Sequence, residues 1–260
     1  MLLKGKVVIV VGIGPGMGRK LGSIAAAEGA KVALAARTSS LLQEVATEIR
    51  TAGGDCITVP TDVTDEAQCR HLVTETVRAY GRVDGLVNSA YRPGSGVPFE
   101  EYDLESLNRC IDVTCHGALR MIKAVLPLMK AQKHGAIVNI TALANVQPLP
   151  GWTDYAIAKS ALEGATRQLA KELGPYNIRL NCARMGYLLG KPLLDYVANI
   201  AQTQNAKEQD IIAGMASRVA LGVLPPDEEC ARSALFFLSD HARMVTGTTL
   251  DVNGGEYMAA

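Results

Sequence analysis

Apolar runs of strand length alternate with longer stretches of helical periodicity along nearly the whole chain. The first, Lys6-Val7-Val8-Ile9-Val10-Val11, is almost continuously β-branched. That pattern suits a strand covered on both faces of a parallel sheet rather than one with a wet side. Comparable runs recur at Val32–Ala36, Cys56–Val59, Val83–Asn88, Ala136–Thr141, Ile178–Cys182 and Thr248–Val252. Between them, the spacing of apolar residues predicts helices over Gly16–Gly29, Ser39–Ala52, Glu66–Tyr80, Leu104–Lys130, Thr153–Leu173 and Asp227–Leu238. Such alternation implies right-handed crossovers and an α/β fold class: a doubly wound parallel sheet of about seven strands with helices on both faces. No repeat, low-complexity tract or linker divides residues 1–260, which read as a single domain.

Two connections are longer than plain turns. Tyr91–Glu100 is rich in Gly and Pro and follows the carboxyl end of a strand. The stretch at about 186–224 carries Tyr187, Leu188, Leu189, Leu193, Leu194, Tyr196 and Val197. A long insertion of this kind fits a substrate lid, and it fits equally a helix packed on the core. In open α/β sheets ligands bind at the carboxyl ends of the strands, where both segments fall.

Composition narrows the function classes. The chain carries 26 basic and 26 acidic residues, so neither nucleic acid nor an anionic membrane is an expected partner. Its six cysteines include no Cys-x-x-Cys pair, and the four histidines are scattered, so no metal site is expected. The opening Met1-Leu2-Leu3-Lys4-Gly5-Lys6 shows no signal-peptide pattern, and no apolar run spans a bilayer; the expected location is cytoplasmic.

Candidate chemistry lies at three places. Gly12-Ile13-Gly14-Pro15-Gly16-Met17-Gly18 joins the first strand to a helix. Glycines let the backbone turn sharply and approach a pyrophosphate, while the helix N-terminus supplies free N–H groups, so the turn predicts a dinucleotide site. The second strand ends Ala36-Arg37. A carboxylate there would bind a ribose 2′-hydroxyl, whereas a guanidinium forks onto a 2′-phosphate, so NADP is expected over NAD. Finally, Tyr155 and Lys159 stand four apart on a predicted helix and share one face. A neighbouring ammonium is expected to pull the phenol below its reference of about 10, towards general acid/base use.

With the Gly12-x-x-x-Gly16-x-Gly18 turn, Arg37, Asp62 after the third strand and the Tyr155/Lys159 pair, the chain resembles the short-chain dehydrogenase/reductase family. Gly117 with Ala124-Val125-Leu126-Pro127, Gly135–Ile140 and Asp251-Val252-Asn253-Gly254-Gly255 are similar to further family patterns, so the likeness covers nearly the whole sequence. The resemblance implies a Rossmann-type sheet in which Asp62 and Val63 contact adenine and Asn88-Ser89-Ala90 lie beneath the coenzyme. It implies that Gly186 and Leu188 flank the nicotinamide end, that Tyr155 passes a proton to or from substrate oxygen, and that Lys159 holds the nicotinamide ribose. It also implies a homotetramer or homodimer joined through helices around Leu119–Lys130 and Thr153–Leu173.

Several positions depart from the family pattern. The serine that hydrogen-bonds the reacting oxygen falls at Ala142, and neighbouring Thr141 should point to the opposite face of its strand. The fourth-helix asparagine is Thr114, Asn-Ala-Gly has become Ser89-Ala90-Tyr91, and Met185 and Gly190 replace a proline and a threonine near the nicotinamide. Loss of one donor at a developing oxyanion costs about 3 kcal/mol. Either the enzyme works without that serine, or alanine has replaced it and disabled turnover. Ala142, Leu149, Trp152 and Tyr187 are the expected substrate contacts, and their character points to a bulky, largely apolar small molecule. Three readings follow: an NADP-dependent alcohol/ketone oxidoreductase, a coenzyme-binding protein without turnover, and a non-redox lyase or isomerase using Tyr155.

Overall fold

The computed structural model describes residues 1–259. Seven parallel strands form one sheet: β1 (Val7–Val11), β2 (Lys31–Ala36), β3 (Asp55–Pro60), β4 (Gly85–Asn88), β5 (Gly135–Ala142), β6 (Ile178–Met185) and β7 (Thr249–Val252), in the order β3-β2-β1-β4-β5-β6-β7. Every residue of β1 and β4 is buried, as their unbroken apolar patterns require. One face packs against α1 (Met17–Ala27), α2 (Ser39–Thr51) and α9 (Asp227–Leu235) through a core that includes Leu21, Leu34, Val45 and Leu235. The other packs against α3 (Glu66–Tyr80), α5 (Gly117–Gln132) and α6 (Thr153–Leu173) through Leu72, Leu86, Met121 and Leu180.

The chain winds outwards in both directions from β1, so a crevice opens between the carboxyl ends of β1 and β4. The Ser89 N–H donates to the Val11 carbonyl at 2.9 Å, bringing the glycine turn beside the β4 exit. This is the position at which open α/β sheets take their ligands.

Three elements differ from the sequence expectation. Leu104–Lys130 is not one regular helix: α4 (Leu104–Ile111) passes through a π turn at Asp112–His116 before α5 begins. Periodicity hides the extra residue because apolar side chains flank it on both sides; such widened turns recur at functional sites. β6 runs three residues past its expected end, through Arg184. That guanidinium is buried by pairing with Glu163 and Asp251, each at 3.0 Å, so a charge that looks like a strand terminator lies inside the sheet. The stretch at 186–224 contains α7 (Lys191–Gln204) and α8 (Glu208–Ala216), closed over their own apolar cluster of Leu193, Val197, Val219 and Leu224.

Candidate active site

The site grows from the end of β5 and the start of α6. Lys159 is only 2% exposed, and its Nζ donates to the Ile140 carbonyl at 2.7 Å. One helical turn earlier, Tyr155 presents its ring to the same place, with Nζ 5.5 Å from the ring centroid. Trp152 stands edge-on to Tyr155 at 5.4 Å between centroids. The shared face expected from the i, i+4 spacing is therefore formed.

The expected electrostatic direction is not. Burial pushes the Tyr155 phenol up, and the adjacent Tyr91 phenol adds to the shift. Burial pulls Lys159 down to about 8, with too little nearby negative charge to offset it. The reason is desolvation: the ammonium lies over the ring and is tied to a carbonyl, so loss of water outweighs charge–phenol attraction. The phenol therefore holds its proton firmly and the lysine holds its own loosely.

A cavity of about 540 Å³ runs from the glycine turn past this pair to α7. Of the residues singled out in the sequence, Gly12, Gly14, Gly16, Met17, Gly18 and Ser89 line one end of it. Ala142, Leu149, Trp152, Tyr155 and Lys159 line the middle, with Gly186, Tyr187 and Leu188 beneath α7. Arg37, Asp62, Val63, Asn88 and Ala90 lie outside its walls. Arg37 is exposed beyond β2. Asp62 Oδ1 accepts from both the backbone N–H and the hydroxyl of Thr64, at 2.9 and 2.8 Å. The Val63 side chain is buried against Gly117, and its carbonyl accepts from Arg120 at 3.3 Å. Asn88 spends its amide on Asn139 at 2.9 Å, within the sheet, and Ala90 packs by its backbone on Gly12.

The glycine turn fits a pyrophosphate. A Cβ at Gly12, where φ is +92°, would stand 2.3 Å from the Ala90 nitrogen, and one at Gly18 would stand 2.1 Å from the Gly12 carbonyl oxygen. Protein packing therefore excludes side chains at those two positions. Gly14 is different: its nearest neighbour is 3.8 Å away, and the free space is the cavity itself. A glycine with room for a side chain, beside an α1 N-terminus that no side chain caps, is what an entering phosphate needs. Gly12→Ala is expected to destabilise the fold by about 1–3 kcal/mol, because backbone meets backbone in a left-handed conformation. Thermal melting of the two proteins checks this, and an unchanged Tm would refute it.

Ala142 faces the cavity without a hydroxyl. Thr141 does not replace it: its hydroxyl donates to Glu163 at 2.8 Å in the adjacent core, as strand alternation requires. Thr114 is buried in the π turn and accepts the Arg92 N–H at 3.0 Å, so it holds a loop rather than the lysine. Asp154, directly before Tyr155, is 1% exposed and accepts the Ser95 N–H at 3.0 Å.

Cavity residues that sequence reasoning did not nominate as site residues include Tyr91, Gln147, Arg218 and Glu256. Tyr91 had a signal: a bulky aromatic shortly after β4, where the resemblance leads one to expect glycine. Glu256 had none, since only the fold brings the C-terminal segment to Gly186 and Tyr187; its Oε2 accepts the Tyr187 N–H at 3.2 Å.

A doubly wound parallel sheet, with a glycine crevice leading to a half-buried tyrosine beside a buried lysine, defines a nicotinamide-dependent oxidoreductase. Residues 12–256 match the family model described as enoyl-(acyl carrier protein) reductase. The 3-oxoacyl-(acyl-carrier-protein) reductase of Thermotoga maritima is 32% identical over 257 residues, 98% of this chain and 99% of that one. Levodione reductase of Leifsonia aquatica is 31% identical over 259 residues, 98% of this chain and 95% of that one. Among solved structures, levodione reductase superposes with a TM-score of 0.90 at 28% identity, over 97% of this chain and 98% of that one. An actinorhodin polyketide ketoreductase with NADPH gives 0.90 at 27%, over 96% and 97%. The chain belongs to the short-chain dehydrogenase/reductase family, and it is an oxidoreductase that acts on small molecules. Among the described residues, no helix is long and apolar enough to cross a membrane.

Proposed function

We propose that this enzyme interconverts a secondary alcohol and a ketone on a bulky, largely apolar substrate, with NADP as coenzyme. The observation that carries the reading is the single cavity in which the Tyr155/Lys159 pair faces both the glycine turn and a wall of Leu149, Trp152, Tyr187 and Leu193. Gly12, Gly14, Gly16, Met17 and Gly18 would hold the pyrophosphate, Lys159 the ribose, and Ser89, Gly186 and Leu188 the nicotinamide end. Bound there, the coenzyme supplies or accepts a hydride. In the reducing direction Tyr155 delivers the phenolic proton to the ketone oxygen as that oxygen gains charge, and Lys159 stabilises the phenolate left behind. Trp152 holds the phenol edge-on and shields it from bulk water.

The segment at 186–224 acts in this reading as a substrate lid. Pro192, at the start of α7, rests on the glycine turn: its ring atoms would lie 3.0 Å from a Cβ at Gly16. The lid thus touches the coenzyme site as well as the substrate wall. Assembly into a homotetramer or homodimer through α5 and α6, where Ile157 is exposed, completes the proposal.

Turnover of reduced nicotinamide against a panel of bulky ketones tests the function directly; no consumption with either coenzyme would overturn it. Coenzyme choice rests on Arg37. Arg19, the other guanidinium reaching α2, is already engaged by Glu44 and Glu48, whereas Arg37 is exposed at the start of that helix. Arg37→Ala is expected to weaken NADP binding by about tenfold to a hundredfold, the loss of one charge-assisted contact, while NAD binding stays nearly unchanged. Calorimetric titration with both coenzymes decides it, and equal losses would remove Arg37 from the phosphate site.

A further inference from the structure

Tyr91 lines the same cavity as Ala142, the position that lacks a hydroxyl, and stands beside the Tyr155/Lys159 pair. Its ring stands edge-on to that of Tyr155, with centroids 6.0 Å apart. Lys159 Nζ lies 5.5 Å from the Tyr91 centroid, the same distance as from Tyr155, so two tyrosines flank one ammonium. Both rings and Ala142 line the same cavity.

The placement of Tyr91 is built rather than incidental. The next residue, Arg92, is fixed at both backbone groups: its N–H donates to Thr114 at 3.0 Å, and its carbonyl accepts from the Cys110 thiol at 3.5 Å. Three residues further on, Ser95 N–H donates to the buried carboxylate of Asp154, which directly precedes Tyr155. The Gly96 N–H donates to the Gly151 carbonyl at 3.1 Å. Gly94 is pressed so closely that a Cβ would meet Asp154 at 3.1 Å and Tyr155 at 3.2 Å. The loop is therefore docked along the N-terminus of α6, and it carries Tyr91 with it. Two of these anchors, Thr114 and Tyr91, are positions where the chain departs from its family, as Ala142 is.

We propose that the Tyr91 hydroxyl is the second hydrogen-bond donor to the reacting oxygen, standing in for the hydroxyl that Ala142 lacks. The proposal rests on the alcohol/ketone reading above. Tyr91 is 48% exposed, and the desolvation its phenol does meet pushes it up rather than down, so it stays protonated and can donate at neutral pH. Alanine at 142 then disables nothing, because the oxygen still meets two donors.

The test is a cycle of three variants, Tyr91→Phe, Ala142→Ser and the two combined, assayed by steady-state ketone reduction. Tyr91→Phe keeps the ring and its anchors, and is expected to lower kcat by about tenfold to a hundredfold. Ala142→Ser is read in the Tyr91→Phe background, where it should restore most of the loss, since it returns a donor to the same oxygen. Coenzyme affinity, read from the fluorescence of the single tryptophan Trp152, should be unchanged in all three. An unaltered kcat in Tyr91→Phe overturns the proposal, as does a loss that serine at 142 fails to restore, which would mark Tyr91 as a packing residue. Absence of ketone turnover in the parent enzyme is a separate result that refutes the functional reading itself.

Discussion

Replacing Tyr155 by phenylalanine is expected to reduce kcat by about 10²–10⁴, the usual worth of a positioned general acid. The substitution removes one oxygen and keeps the ring, so the edge contacts with Trp152 and Tyr91, at 5.4 and 6.0 Å, remain. Melting temperature and coenzyme affinity should therefore stay close to those of the parent, and the loss should fall on the chemical step. Single-turnover reduction of a bulky ketone measures that step apart from product release. Tyr91 bounds the outcome. It flanks the same ammonium, but its role here is to donate a hydrogen bond and keep its proton. If Tyr155→Phe loses less than about tenfold, Tyr91 is itself passing the proton, and the roles of the two phenols must be exchanged.

The fold was legible because its physics is periodic. Buried parallel strands write themselves as continuous β-branched runs, and β1, β2 and β4 match theirs closely. The glycine turn was legible for a similar reason, since a Cβ at Gly12 or Gly18 would strike backbone. What escaped is what depends on tertiary pairing. Arg184 looks like the end of a strand until Glu163 and Asp251 are seen around it. The widened turn at Asp112–His116 leaves no trace in the apolar spacing. Tyr155 and Lys159 were found as a pair, but the direction of their ionisation was not, because spacing reports which groups meet and is silent on how much water they lose. Glu256 reaches Tyr187 across 69 residues of chain, and no local pattern announces it.

That desolvation gives Lys159 an opposite effect on activity and on stability. Lys159→Met should lower ketone reduction by at least about a hundredfold, since the phenolate formed at Tyr155 loses the ammonium beside it. Yet the same variant is expected to melt higher at pH 7. The ammonium is 2% exposed, held by a single carbonyl, and its pKa is pulled from 10.5 down to about 8. A base whose pKa is lower in the native state is a liability while it is charged in both states. Below pH 8 the native chain carries the full penalty, on the order of 3 kcal/mol by linkage. Between about 8 and 10.5 the native lysine has released its proton while the unfolded one keeps it, so native stability rises with pH through that window. Methionine has no such titration. The stability advantage of Lys159→Met should therefore be several degrees in Tm at pH 6–7, at roughly 2–4 °C per kcal/mol, and should shrink steadily as pH approaches 10. Melting curves of both proteins across that range test the argument. A variant that melts lower at pH 7, or a gap that does not change with pH, would mean that the ammonium is better satisfied than its burial implies, and would return Lys159 to the ordinary lysine range.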